Sequence, residues 1–272
     1  MRASIPIPSR PLVCAGLDRV RAVFSDVDGT LTTAGKLTGP VLRSLERLRD
    51  AGVKVVLVTG RPAGFGECFL RTLPVAAVIA ENGGLYFAWD GRQRLKKVYA
   101  QGFTQRRSNR RRLWQEVRRA MARVPRVRLS TDSAYTEVDL ALDYNEEVTL
   151  GTGAAEKLVQ AFAARGVSAV RSSVHVNCWL GGFDKQWMVQ RFLKNEWKVP
   201  WPAAPGEFVY VGDSLNDAPM FNAFPLSVGV ANVLEVWEEL EAFPRFVTRA
   251  REGAGFVELA NRILKARGQK RV

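Results

Sequence analysis

Two aspartates one residue apart, Asp26 and Asp28, end the apolar run "VRAVFSD" (20–26) and its continuation, and Gly29-Thr30 follows at once. Three other stretches carry groups of matching chemistry. Thr59-Gly60 follows the apolar run "VKVVLV" (53–58), Lys185 stands in "GGFDKQ", and "GDSLND" (212–217) adds Asp213, Asn216 and Asp217. A carboxylate pair, a hydroxyl beside a flexible Gly, a lone ammonium and two further carboxylates suit phosphoryl transfer. One carboxylate can attack phosphorus and form an aspartyl phosphate, which splits a hard displacement into two easier ones. An anion attacking an anion needs local positive charge. Mg²⁺ held by oxygens of Asp26, Asp213 and the Asp28 carbonyl is expected to supply it. Lys185, the Thr59 hydroxyl and backbone N–H groups around Asp28 and Gly60 are expected to hold the phosphoryl oxygens. Asp28, two residues from the nucleophile, is the expected proton donor and acceptor.

These groups need elements that bring them to one place. "VRAVFSD", "VKVVLV" and "AAVIAENGG" (76–84) read as buried strands, and "TGPVLRSLERLRDAG" as a helix with Pro40 in its first turn and Gly52 as its stop. Strand and helix alternating over short links predict a doubly wound parallel sheet, whose ligands lie beyond the carboxyl ends of the strands. Near residue 88 the rhythm changes. A hairpin-like stretch leads to a helix with Leu113, Val117, Ala120, Met121 and Val124 at helical spacing. Strands follow in "VRLSTD", "TEVDLALDY", "VSAVRSS" and "VHVNCWL", with the helix "AAEKLVQAFAARG" among them. After Lys185 the doubly wound pattern returns with "DKQWMVQRFLKN", "EFVYVGD", "NDAPMFNAF", "LSVGVA" and "GFVELANRILKA". The expected fold is α/β: a Rossmann-like parallel sheet core over 1–88 and 181–272, with a smaller α+β domain inserted at 89–180.

Composition narrows the class. With 272 residues, 47% hydrophobic and 25% charged, the chain reads as globular protein of one or two domains. No run of about 18 apolar residues suggests a membrane span. The stretch "MRASIPIPSRPLVCAG" lacks the apolar core of a secretory signal and is expected to be a disordered lead-in. Cys14, Cys68 and Cys178 are odd in number and scattered, which fits a reducing cytoplasm better than a disulfide framework. The single histidine, His175, excludes a His-rich metal cage. Net charge is +13, and the window from Arg92 to Arg128 holds fourteen Lys/Arg against one Glu, which is the whole excess. Such a patch draws anionic partners without naming them.

"DVDGT", "VTGR", the lone Lys185 and "GDSLND", in this order, resemble the four motifs of the haloacid dehalogenase superfamily, the aspartate-nucleophile phosphatases. "ENGG" (81–84), the long insert and the closing "VTRAREGAGFVEL" resemble its sugar-phosphatase branch with a large α/β cap, near the mannosyl-3-phosphoglycerate and sucrose-phosphate phosphatases. The resemblance implies a Mg²⁺-dependent phosphatase acting on a small phosphorylated metabolite, a sugar phosphate in that branch. It implies Asp26 as nucleophile, Asp28 as acid/base, Thr59, Gly60 and Lys185 as phosphate ligands, and Asp26, Asp28 and Asp213 as metal ligands. Asp217 would orient Lys185 or metal-bound water, and Asn216 fits the same branch.

Further candidates for substrate contact are Arg61 and Asn82 near strand ends, and His175 and Asn177, which alternate with Val174 and Val176 and so share one face. Each also has a structural reading, as a loop or cap residue for the first two and as a sheet-face residue for the others. Two other functions stay open: a phosphomutase of the same architecture, and a polyanion- or nucleic-acid-binding protein with a vestigial site. The basic helix has Trp114 as its interior aromatic, so a solvated outer face is its first reading.

Overall fold

The computed structural model describes residues 10–12, 16–172, 174–202 and 206–268. The chain opens with strands β1 (Arg10–Pro11) and β2 (Ala22–Ser25), helix α1 (Gly39–Asp50), β3 (Lys54–Val58), α2 (Ala63–Thr72) and β4 (Ala77–Ala80). A hairpin of β5 (Leu85–Trp89) and β6 (Leu95–Tyr99) follows, then α3 (Phe103–Arg123), β7 (Arg128–Leu129), β8 (Leu140–Asp143), α4 (Thr152–Ala163), β9 (Ser168–Arg171) and β10 (His175–Trp179). The remainder is α5 (Lys185–Phe192), β11 (Phe208–Gly212), α6 (Ala218–Ala223), β12 (Leu226–Gly229), β13 (Phe246–Val247) and α7 (Glu252–Ala266). This is the α/β fold expected from the sequence, a Rossmann-like parallel sheet with an inserted α+β layer. Cys14, most of the lead-in and the last four residues lie outside the described residues.

By their contacts the residues form two compact units. The first (1–57, 73–76 and 199–272) holds strands in the order β1-β13-β12-β11-β2-β3, with every pair parallel. β2 and β11 are buried throughout, as parallel strands covered on both faces must be. Val23 pairs with Val55 on one side and Val209 on the other. α1 and α7 pack together through Val41, Leu45 and Leu48 on one helix and Phe256, Leu259 and Ile263 on the other, all fully buried. Each such side chain withdrawn from water contributes about 1.5–3 kcal/mol.

The second unit (58–72 and 77–198) holds the antiparallel run β4-β5-β6 and the insert's own antiparallel sheet β7-β8-β10-β9. Leu113 and Val117 of α3 and Leu158 and Phe162 of α4 share one core with Leu140, Leu142 and Val176 of that sheet. "VRLSTD" forms a strand only at Arg128–Leu129, because Thr131–Tyr135 coils into a 3-10 turn. α2 has no counterpart in the sequence reading. Its two glycines, Gly64 and Gly66, mask a helix that packs on Phe87 and Ala80.

"ENGG" owes its composition to a backbone crossing. Gly83 has φ of 96°, and a Cβ there would stand 2.1 Å from the Asp184 carbonyl oxygen. The chain entering α5 therefore lies against bare backbone at this point. Gly83→Ala is expected to cost about 1–3 kcal/mol, lowering the thermal midpoint by about 2–4 °C per kcal/mol. Gly91→Ala, whose added methyl meets nothing within 4 Å, is the control that should leave the midpoint in place.

Candidate active site

In the first unit, β2 delivers Asp26 into a buried position where its N–H donates to the Val211 carbonyl at 2.9 Å. The chain then turns at once: the N–H groups of Leu31 and Thr32 both donate to the Val27 carbonyl, each at 2.9 Å. Asp28 is half-buried on this turn. Gly29 is required by a close approach, since a Cβ there would lie 2.5 Å from Asp213 Oδ2. Asp213, just past β11, accepts from the Thr30 hydroxyl at 2.8 Å and from Asn232 Nδ2 at 3.0 Å. The same Asn232 amide donates to the Gly29 carbonyl at 3.0 Å, and its oxygen accepts the Glu252 N–H at 2.8 Å. Asn232 therefore fixes Asp213, the turn after Asp26 and the start of α7 together.

Asp217 is wholly buried and acts on backbone. Its Oδ2 accepts the N–H groups of Asp213 and Ser214 at 3.0 and 3.1 Å, and its Oδ1 accepts the Tyr210 hydroxyl. The Ser214 hydroxyl completes a capping box and donates to Asn216 Oδ1 at 2.7 Å. One carboxylate oxygen each of Asp26, Asp213 and Asp217 lies within 4.8 Å of the others. Burial, then the negative charges of Asp217, Asp26 and Asp213, push the Tyr210 hydroxyl well above its ordinary range. Three buried carboxylates so close repel strongly unless positive charge joins them. Their hard oxygen donors fit a divalent cation of the Mg²⁺ class.

The second unit gathers another group. Thr59 extends past β3, and its N–H donates to the Ile79 carbonyl at 2.9 Å. Its hydroxyl accepts the Arg61 N–H at 2.9 Å, and its carbonyl accepts the Asn82 N–H at 3.1 Å. The Gly60 carbonyl accepts Asn177 Nδ2 at 3.2 Å. Asn82 and Asn177 also donate to one oxygen of Asp139, at 3.1 and 3.4 Å. Arg61 pairs with Asp132 at 3.2 Å and Glu146 at 3.6 Å. His175 Nε2 lies 2.7 Å from the other Glu146 oxygen, off the line of an aligned hydrogen bond. Lys185 opens α5 and is only 4% exposed, while Asp184 before it caps the helix by accepting the Trp187 N–H at 2.7 Å. A buried ammonium at a capped helix start is held in one place. Arg61, Asn82 and Asn177 thus converge with Thr59 and Gly60, each held by an insert carboxylate, while His175 stands beside Glu146 without an aligned hydrogen bond.

Several residues of these networks have no role assigned in the sequence reading, among them Thr30, Asn232, Glu81 and Asp139. The Glu81 carboxylate is fully buried and accepts four backbone N–H groups, from Ala63 (2.9 Å), Glu137 (2.8 Å), Val138 (2.6 Å) and Asp139 (2.9 Å). Asp139, equally buried, has the two Asn amides on one oxygen and, among the described residues, no hydrogen-bond partner on Oδ1. Burial raises both carboxyls, and the charge of Glu81 raises Asp139 further. Four N–H donors favour the ionised form of Glu81, so of the two carboxyls Asp139 is held further above its ordinary range. An acid inside the apolar alternation of "TEVDLALDY" was the available signal.

With this geometry in hand, similarity to known proteins defines the class. Residues 23–106 match the model of the haloacid dehalogenase-like hydrolases. The phosphoglycolate phosphatase of Pyrobaculum neutrophilum is 32% identical over 252 residues, covering 90% of this chain and 96% of its own. That of Haloarcula marismortui is 29% identical over 237 residues, covering 86% and 92%. Among solved structures, the C-terminal domain of C. albicans trehalose-6-phosphate phosphatase aligns with a TM-score of 0.68 at 17% identity, over 91% of this chain and 93% of its own. The Synechocystis sucrose-phosphatase, solved with sucrose and phosphate, gives 0.60 at 15% identity, over 90% and 98%. The chain belongs to the haloacid dehalogenase-like hydrolases, and within them it is a phosphatase.

The Glu81–Asp139 pair makes stability depend on pH in a definite direction. A carboxyl with a raised folded pKa holds its proton longer in the native state than in the unfolded chain. Its contribution is fullest below the ordinary Asp value of about 3.9 and declines as pH climbs toward the raised value. Asp139→Asn cannot ionise and keeps an oxygen for both amides. Its thermal midpoint is expected to gain on the wild type as pH rises above about 4, whereas an unchanging offset would contradict a raised Asp139.

Proposed function

We propose that this phosphatase is a Mg²⁺-dependent phosphomonoesterase that hydrolyses a small phosphorylated metabolite through an aspartyl phosphate on Asp26. The observation that carries this reading is the buried cluster of Asp26, Asp213 and Asp217, with Asp26 at the carboxyl end of β2. An oxygen of Asp26 attacks phosphorus, the ester P–O bond breaks, and Asp28 gives its proton to the leaving alcohol. Asp28 then takes a proton from water as the water oxygen bonds phosphorus and the bond to Asp26 breaks, releasing phosphate. Asp26, Asp213 and the Asp28 carbonyl, with Asp217 beside them, would hold Mg²⁺, which would supply the positive charge that two meeting anions need. Thr59, Gly60 and Lys185 hold the phosphoryl oxygens, and Asn216 shapes the loop that carries Asp213.

In this reading 1–88 and 181–272 are the catalytic core and 89–180 the cap. The cap excludes water from the first step and contacts the substrate, with Arg61, Asn82, His175 and Asn177 as the groups that select it. 2-Phosphoglycolate is the first substrate to try, because the relative sharing 32% of residues over 90% of the chain is named for it. Sugar monophosphates come second, since the likeness to sucrose- and trehalose-phosphate phosphatases is one of fold. No helix among the described residues is long and apolar enough to cross a membrane. The exposed Cys68 and buried Cys178 are both free thiols, in keeping with a cytoplasmic setting.

Inorganic phosphate release, measured over a panel of these esters, is expected with Mg²⁺ and to fall to background with chelator. Asp26→Asn is expected to lose at least about 10³-fold in kcat with its melting midpoint intact; turnover surviving that change would refute Asp26 as nucleophile. Formation of an isomeric sugar phosphate without phosphate release would identify a mutase instead.

A further inference from the structure

The basic helix is not absorbed by the phosphatase reading. α3 carries eight arginines and no lysine. Arg110 is committed to the carbonyls of Asp139 and Thr136, Arg112 to the Arg165 carbonyl, and Arg119 to Glu116. Among the described residues, Arg107, Arg111, Arg118 and Arg123 make no ion pair. Arg107, Arg111 and Arg118 follow one another at helical spacing along an exposed stripe.

Trp114 is not the only ring on that side. Two adjoining grooves, of about 450 and about 220 Å³, run along it and share Phe103 and Arg106 in their walls. Tyr99, from β6, enters the first, and Trp114 the second. The Arg106 guanidinium lies 3.4 Å from the Tyr99 ring centroid and 5.8 Å from that of Phe103. Phe103 is 68% exposed, with the Arg106 guanidinium its one charged neighbour at ring-contact range among the described residues. The single acid lining the grooves, Glu137, is engaged by the Lys97 ammonium and the Tyr99 hydroxyl. What remains open is a row of flat faces beside a row of unpaired guanidinium groups.

We infer that this face of α3 is a binding site for single-stranded nucleic acid, separate from the phosphatase chemistry. Bases stack on Phe103 and on the stacked Arg106–Tyr99 pair, and Arg107, Arg111 and Arg118 take the phosphates. The interleaving of rings with cations is what sequence-tolerant single-strand binding uses. Arg in place of Lys favours it over a lipid surface, because the planar fork both stacks and grips phosphate bidentately, whereas membrane attraction needs only charge. From Phe103 to Arg118 the helix rises about 22 Å, room for a few extended nucleotides.

Fluorescence anisotropy of labelled single-stranded DNA and RNA 12-mers against the full chain, at several salt concentrations, tests this. Binding that weakens steeply with salt is expected. Arg107→Glu with Arg111→Glu should weaken it at least about tenfold and lower the salt slope by about two. Phe103→Ala should weaken it about fivefold to a hundredfold, the worth of one stacked base, at an unchanged slope. Arg107→Lys with Arg111→Lys should keep the slope. All variants should keep their melting midpoint and phosphate release. Absence of binding at 50 mM salt would overturn the inference. So would affinity indifferent to Phe103→Ala, which marks a plain counter-ion surface, or equally tight binding to anionic vesicles that the same variants abolish.

Discussion

Three carboxylates crowded into one buried place are the constraint around which the first unit is organised. Asp26, Asp213 and Asp217 approach within 4.8 Å of one another, and folding brings together like charges that an unfolded chain would hold apart. The surrounding residues read as the means of tolerating this. Thr30, Asn232 and Tyr210 each point a donor at one of the carboxylates, and the backbone of residues 213 and 214 adds two more. Parallel strands with short links put these donors within reach, because β2 and β11 are adjacent and end at the same level. A place that concentrates negative charge is also a place whose hard oxygen donors fit a cation.

The second unit meets a different version of the same difficulty. Glu81 and Asp139 are buried as deeply, but there four N–H groups solvate one carboxylate, and burial beside it raises the pKa of the other. One Asp139 oxygen that two asparagine amides share then sets the orientation of Asn82 and Asn177. Through Asn177 that order reaches the Gly60 carbonyl. The amide side chains beside Thr59 are thus placed by a buried acid whose pKa burial raises.

Much of this was legible in the sequence, and for identifiable reasons. Buried parallel strands are short apolar runs ending in Asp, Thr or Gly, so β2, β3 and β11 stand out, and the chemistry at their ends stands out with them. Helix α3 was equally visible through Leu113, Val117 and Ala120, which repeat at helical spacing. What escaped depends on partners remote in the chain. Asn232 is a common loop residue until its amide is seen on Asp213, nineteen positions away. Glu81 looks like turn punctuation until residues 137–139 are folded over it. α2 escaped because Gly64 and Gly66 suppress the local preference that tertiary packing then overrides. Tyr99 and Phe103 were separated by a strand-to-helix turn that hid their shared face with Arg106.

The four hydrogen bonds to Glu81 bear on how such enzymes can be recombined. They join the stretch after β4 and the first residue of α2 to the approach to β8, so the residues around position 81 and the insert are a single folding piece. A chimera that exchanges residues 89–180 for the equivalent piece of another family member would keep Glu81 and discard three of its donors, stranding a desolvated anion. Grafts that carry residues 58–72 and 77–88 along with the insert keep that anion solvated. Modular exchange within this family is therefore expected to follow hydrogen-bond closure at residue 81 more faithfully than it follows the visible edges of the inserted layer.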